Sequence, residues 1–253
     1  MQQVQGTLKE SYTDEHSYVW RTLNEQQKKI NEISAANAYI ECYDRLSLDS
    51  PRIVYLDALN KSLEALSGWR TVLVPGLVPT KDFFQHLLKK EYPITVFIRG
   101  IDELKHSESP DKFHDIYGHV PLLVDPKFNQ FLFDFSLMAL KFIDNEELVK
   151  YLGNFYWYTF EMGLIREQGT YKAYGGAILT SMSETKNIDN PSVEKLRFDV
   201  RDMLLREIDI ANLQSQYFYI ESFDELFNSL DQIEQVLNEL AAPVYDERRI
   251  QAA

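Results

Sequence analysis

Five histidines stand in this sequence, at positions 16, 86, 106, 114 and 119, and two of them share one short stretch, Pro110-Asp-Lys-Phe-His114-Asp-Ile-Tyr-Gly-His119-Val-Pro121. Five residues of regular helix turn the chain by roughly 140°, so His114 and His119 would not lie on one face. They can meet a single metal ion if the helix ends between them, and Gly118 and Pro121 are residue types that end helices. An isolated pair at this spacing reads more simply as a capped helix with two surface histidines. Two neutral imidazoles on a metal want a hard third ligand, and a carboxylate with open positions opposite completes the facial triad of non-haem iron oxygenases. Asp111, Asp115 and Glu161 are the candidates. Asp115 adjoins His114 and would point elsewhere on the turn. Glu161 sits in Phe155-Tyr-Trp-Tyr-Thr-Phe-Glu161-Met-Gly163, where a carboxylate is costly unless it is paired or metal-bound. The same residue also reads as an exposed helical glutamate, and residue types alone leave the choice open. The ligand set suits zinc as well. A zinc hydrolase would need a base beside the metal-bound water, and no HExxH is present.

The elements that must carry these side chains are mostly helical. A helical pattern runs from Thr13 to Ala36 through Val19, Leu23, Ile30 and Ile33, after a flexible tail over residues 1–10. A second helix carries Leu56, Leu59, Leu63 and Leu66 and stops at Gly68. Trp69–Val74 reads as a strand, Thr80 caps a helix reaching Lys90, and Ile94–Arg99 is strand-like. Phe128–Ile143 and Glu147–Leu164 are apolar-periodic helices, Tyr171–Leu179 looks extended, Val193–Ile210 helical, and Gln216–Ile220 alternates like a strand. Ser222-Phe-Asp-Glu225 is a capping box opening a last helix, within a C-terminal helix and tail over 223–253. Its stripe of Leu226, Leu230, Ile233, Leu237 and Leu240 is too short for a coiled coil and predicts packing against its own domain. The expected fold class is α+β, predominantly helical, a single catalytic domain over residues 1–253 with short scattered strands.

Composition narrows the function classes. The 253 residues carry 26 Lys and Arg against 39 Asp and Glu, a net charge of −13, so no positive field exists for nucleic acid. A single cysteine, Cys42, rules out an intrachain disulfide. No apolar run reaches the roughly 18 residues of a membrane helix, since Asp134 interrupts Phe131–Phe142. The first residues lack a signal peptide's basic start and apolar core, which makes the cytoplasm the expected location. Aromatic residues make up 13% of the chain, read first as core packing and then as the lining of a ligand pocket.

Four motifs together give the sequence a family likeness: Val74-Pro-Gly-Leu-Val-Pro79, Phe113-His-Asp-Ile-Tyr-Gly-His-Val-Pro-Leu-Leu123, Tyr156-Trp-Tyr-Thr-Phe-Glu-Met-Gly-Leu-Ile165 and Ala173-Tyr-Gly. In this order and spacing the chain resembles the catalytic domain of the pterin-dependent aromatic amino acid hydroxylases, above all the short bacterial phenylalanine 4-monooxygenases, from about Tyr12 to Phe227. The resemblance implies Fe(II) held by His114, His119 and Glu161, a tetrahydropterin such as tetrahydrobiopterin as cosubstrate, and dioxygen. It implies a pterin stacked on Phe83 and read by the loop Gly76, Leu77 and Val78. Arg99 would pair with the substrate carboxylate, Ser107 would assist it, and Trp157 would flank the substrate ring. Tyr156 would lie near the iron, and Thr180 would support the carboxylate site and a ligating histidine. Arg suits that task because its planar fork matches a carboxylate.

The implied reaction is hydroxylation of L-phenylalanine to L-tyrosine. Tryptophan 5-hydroxylation is the alternative within the family, and a zinc hydrolase or a non-catalytic binding relative are the alternatives outside it. Three positions depart from the family pattern: Ser109 in place of Glu, Met162 in place of Phe, and Gly176-Ala177 in place of Ala-Gly. The last two are expected near the substrate pocket. With no regulatory domain and no long tetramer helix expected, the resemblance points to a monomer or weak dimer.

Overall fold

The computed structural model describes residues 8–104 and 109–241. Helix α1 (Asp14–Ser34) opens on a capping box. The Thr13 hydroxyl accepts from the His16 N–H, and the His16 ring accepts from the Thr13 N–H. Its buried face carries Val19, Trp20 and Leu23, followed by a polar stripe of Asn24, Gln27 and Asn31. Helix α2 (Asn37–Arg45), absent from the sequence reading, buries only Tyr39 and Cys42, too few apolar residues to announce a period. Helix α3 (Leu56–Ser67) stops at Gly68, which takes the left-handed φ of 72°.

Strands β1 (Arg70–Val74) and β2 (Glu91–Thr95) pair in parallel around α4 (Thr80–Leu87), with Arg70 opposite Glu91 and Val74 opposite Thr95. Thr80 is the first residue of α4 rather than its cap; Pro79 holds that position without a side-chain bond. The strand expected at Ile94–Arg99 starts earlier and ends at Thr95, because β1 ends at Val74 and leaves the following residues no partner strand. Residues 97–99 are pinned instead by Lys112 and Asp111.

The chain then runs through α5 (Lys112–His114), a π-helical turn (Asp115–His119) and a 3₁₀ turn (Pro121–Val124) into α6 (Pro126–Ala139). Helix α6 is capped by the Asp125 carboxylate with Pro126 at its first position. Helix α7 (Glu146–Tyr156) continues into a second π-helical turn (Trp157–Glu161). The helix expected to reach Leu164 therefore gives way to strand β3 (Leu164–Glu167), joined to β4 (Thr170–Ala173) by Gln168 and Gly169, both at positive φ.

After β4 the extended stretch expected to Leu179 bends into α8 (Gly176–Leu179) and α9 (Met182–Asn187). The helix expected over Val193–Ile210 is strand β5 (Glu194–Arg197) followed by α10 (Val200–Leu205). Its first half pairs with β6 (Gln216–Ile220), and Asp199 caps the helix. The second sheet has the order β4-β3-β6-β5.

The last stripe is split between α11 (Phe223–Phe227) and α12 (Leu230–Ala241), with Ser229 buried at the break. The Ser222 side chain makes no capping bond, and Glu225 instead accepts from the Glu221 N–H and pairs with Arg197. As the short stripe predicts, α12 packs on its own chain, against α6, α7 and α10.

A candidate iron centre between two π-turns

The helix does not end between the histidines. It widens, and the wider turn brings residues five apart to one side, so His114 and His119 face each other with their Nε2 atoms 3.2 Å apart. Glu161 comes from the second π-turn, closed by a bond from the Met162 N–H to the Trp157 carbonyl at 2.8 Å. Its carboxylate oxygens lie 3.3 Å from His119 Nε2 and 3.5 Å from His114 Nε2. The ligand atoms of the three residues fall within 4.8 Å of one another, the one such cluster of three among the described residues.

Close backbone approach holds the two turns together. A Cβ on Gly176 would fall 2.5 Å from the His119 ring, and a Cβ on Gly118 would fall 2.9 Å from Gly176. Only glycine at both positions lets α8 pack against the histidine turn.

The other two acidic candidates have different work. Asp111 caps α5 through the His114 N–H and holds Arg99 by a two-pronged pair, Nε at 3.0 Å and Nη2 at 2.7 Å. The Arg99 bonds outweigh burial and keep the Asp111 carboxyl below its usual range. Asp115 turns toward β2 and accepts from the Thr95 N–H at 2.6 Å, and burial pushes its carboxyl up to about 7.

Thr180 sets the tautomer of His114. Its hydroxyl donates to the Gly176 carbonyl at 2.7 Å, so at 2.9 Å it can only accept from His114 Nδ1–H. That leaves His114 Nε2 with its lone pair toward the cluster. Burial drives His114 down to about 4. Burial opposes the charge on Glu161 too, but His119 and His114 together hold it down to about 2. His119 moves the other way, because Glu161 and Asp115 outweigh its burial. A cation here therefore meets a neutral imidazole and a carboxylate.

The polar stripe of α1 braces this frame. Asn24 donates to the Tyr117 hydroxyl at 2.6 Å inside the histidine turn, and Asn31 donates to the Leu179 carbonyl at 2.9 Å beside Thr180.

A cavity of about 260 Å³ opens on the cluster, lined by His114, His119 and Glu161 together with Gly76, Leu77, Val78, Phe83 and Tyr156. Arg99, Trp157 and Thr180 are not among its described lining. Arg99 is buried against Asp111, Trp157 is half-buried with its Nε1 lacking a partner, and Thr180 lies behind His114. Ser107 and His106 lie outside the described residues. His16 caps α1 and His86 pairs with Glu91 at 2.9 Å, so neither joins the cluster. Met162 is buried and, like Arg99, Trp157 and Thr180, is not among the lining of this cavity.

Sequence reasoning missed Tyr92. Its ring stacks on His119 with centroids 5.5 Å apart, and its hydroxyl meets that of Tyr156 at 3.2 Å. The signal was its place in a strand one element away from the histidines, which only the β1–β2 pairing reveals.

A family model for biopterin-dependent aromatic amino acid hydroxylases matches residues 5–249. This chain belongs to that family. Phenylalanine-4-hydroxylase of Chromobacterium violaceum is 35% identical over 219 residues, covering 86% of this chain and 73% of that protein. The Pseudomonas aeruginosa phenylalanine-4-hydroxylase is 36% identical over 218 residues, covering 85% and 82%. The crystal structure of the C. violaceum hydroxylase with bound iron(III) and oxidised 7,8-dihydrobiopterin has a TM-score of 0.86 and 34% identity over 94% of this chain and 88% of that one.

Proposed function

We propose that this family member is a non-haem iron, tetrahydropterin-dependent phenylalanine 4-monooxygenase that converts L-phenylalanine to L-tyrosine with dioxygen. The observation that carries the metal assignment is the Glu161 carboxylate, 3.3 Å from His119 Nε2 and 3.5 Å from His114 Nε2, whose buried Oε2 makes no hydrogen bond. A buried carboxylate oxygen without a hydrogen bond is costly, and a divalent cation satisfies it. When bound, ferrous iron and the tetrahydropterin together supply the activation of dioxygen.

The chain's own residues bind, orient and exclude water. His114, His119 and Glu161 hold the metal on one side and leave the cavity side free. Phe83 offers a ring for the pterin, and the loop Gly76, Leu77 and Val78 offers peptide groups to its edge. Arg99, held by Asp111 through Nε and Nη2, receives the amino acid's carboxylate, with Ser107 assisting. Trp157 flanks the substrate ring and Tyr156 closes the wall beside the metal. What favours this reading over a zinc hydrolase is the family match and the phenylalanine-4-hydroxylase relatives.

No described helix is long and apolar enough to cross a membrane. The unpaired Cys42 fits a reducing compartment, and we assign the chain to the cytoplasm as a monomer or weak dimer, which light scattering tests. Anaerobic reconstitution with ferrous iron and tetrahydropterin, followed by oxygen and phenylalanine, should yield tyrosine. With equal phenylalanine and tryptophan present, tyrosine should exceed 5-hydroxytryptophan; the reverse yield overturns the substrate assignment and leaves the iron and pterin assignments standing.

A further inference from the structure

Lys112 is an anomaly: a lysine with no exposed surface, two residues before a metal ligand. Buried lysines are rare unless paired. This one is fully partnered by residues of the N-terminal segment. Its ammonium pairs with Glu10 Oε1, donates to the Tyr12 hydroxyl at 3.0 Å and lies 4.6 Å from the centre of the Tyr12 ring. The Tyr12 hydroxyl, accepting from Lys112, donates its own proton to the Val96 carbonyl at 3.0 Å. Glu10 spends its second oxygen on the Leu56 N–H at the start of α3. Residues 8–10, expected to be tail, therefore include an anchored carboxylate.

Beneath this clasp the main chain is stitched across the same two strips. The Lys112 N–H donates to the Phe97 carbonyl at 2.9 Å, and Asp111 accepts from both the Arg99 N–H and the Arg99 guanidinium. One strip ends in Arg99 and the other in Asp111 and His114. Glu10 and Tyr12 grip the pair of strips from outside through Lys112 and Val96.

We propose that Lys112 is a positioning residue for substrate binding: locked by Glu10 and Tyr12, it sets the register of Asp111 against Arg99 and so the aim of the Arg99 guanidinium. This rests on the reading that Arg99 receives the substrate carboxylate.

The test uses the full chain loaded with ferrous iron, with tetrahydropterin and L-phenylalanine as substrates, and three variants. Glu10→Gln leaves a buried ammonium unpaired, and should lower the melting temperature and raise the KM for phenylalanine. The double variant Glu10→Gln/Lys112→Met removes that charge and should recover the melting temperature. It also removes the clasp, so the KM for phenylalanine should stay raised at least about fivefold while the KM for pterin stays within about twofold, and amide exchange over residues 8–13 should rise. A double variant that recovers both the melting temperature and the phenylalanine KM overturns the proposal, because the lysine then matters only as a buried charge. Equal rises in both KM values overturn it as well. Arg99→Lys separates the underlying reading: an unchanged phenylalanine KM there sinks the assignment of Arg99, whereas a raised one beside a normal double variant sinks the clasp alone.

Discussion

The two sides of the cavity are built differently. On the metal side the polar groups around the cluster are tied to one another: Thr180 holds His114, Asp111 holds both Arg99 and the start of α5, and Asp115 is tied to Thr95. Glycines at 118 and 176 allow this side to close with no room for a single added methyl group. On the opposite side, the loop after β1 carries Leu77 with 81% of its surface exposed, and Phe83 is only half-buried. The difference follows from what each side receives. A metal needs its ligands fixed before it binds, because three donors converge on one point. A flat heterocycle can be met by a loop that completes its contacts on binding.

Substitutions should break this contrast unevenly, and the ligands come first. His119→Ala or Glu161→Ala should abolish bound iron, with a loss beyond the roughly 100-fold typical of residues that only support a ligand. Iron stoichiometry by elemental analysis reads it directly, and tyrosine formation should fall in parallel. Full iron occupancy in either variant would remove the triad.

Asp111→Asn comes next and acts on the fold. It leaves the buried Arg99 guanidinium facing a neutral amide, a type of loss worth about 3–5 kcal/mol when a buried pair is broken. Because the Arg99 bonds outweigh burial and hold the Asp111 carboxyl below its ordinary 3.8, the pair's contribution is fully present above that value and disappears as pH falls through the lower, folded value. Urea unfolding should therefore show a large gap between wild type and variant at neutral pH that narrows only below about pH 4. A gap already closing near neutrality would mean that another group sets it.

Thr180→Val tests a support rather than a ligand. Removing the acceptor of His114 Nδ1–H frees the ring to turn or change tautomer, which should weaken iron binding by roughly 10–100-fold without unfolding the chain. Competition with a chelator measures it, and Thr180→Ser should restore most of the affinity.

These unequal expectations also mark what could be read from the sequence. His114, His119 and Glu161 were accessible as residue types, and the family motifs tied them together. Their geometry was not, because periodicity arguments assume 3.6 residues per turn and both ligand-bearing turns are π-helical. The expected helix end at Gly118 and Pro121 was a substitute for that widening. Helix α1 was legible to within two residues at both ends, and α3 in its apolar face and its stop at Gly68. Strand β5 was not, because four residues reading Glu-Lys-Leu-Arg have no strand character until β6 lies beside them. Lys112 and Tyr92 escaped for the same reason: their partners, Glu10 and His119, lie 102 and 27 positions away, and only folding brings them together.

The smallest effect is expected on the loop side. Phe83 meets Tyr92 and Tyr156 in T-shaped contacts, with centroids 6.0 and 5.7 Å away, and lines the cavity. Phe83→Ala removes one aromatic stacking partner, a contribution on the order of 1 kcal/mol, or about fivefold in the apparent KM for pterin. The iron content should be nearly unchanged, because no ligand is among the ring contacts of Phe83 and it reaches His119 only through Tyr92. Phe83→Tyr keeps the ring and should behave nearly as wild type. If Phe83→Ala instead lowered iron binding as far as Thr180→Val, the two sides of the cavity would share one frame, and the division between a prebuilt metal side and a ligand-completed pterin side would have to be abandoned.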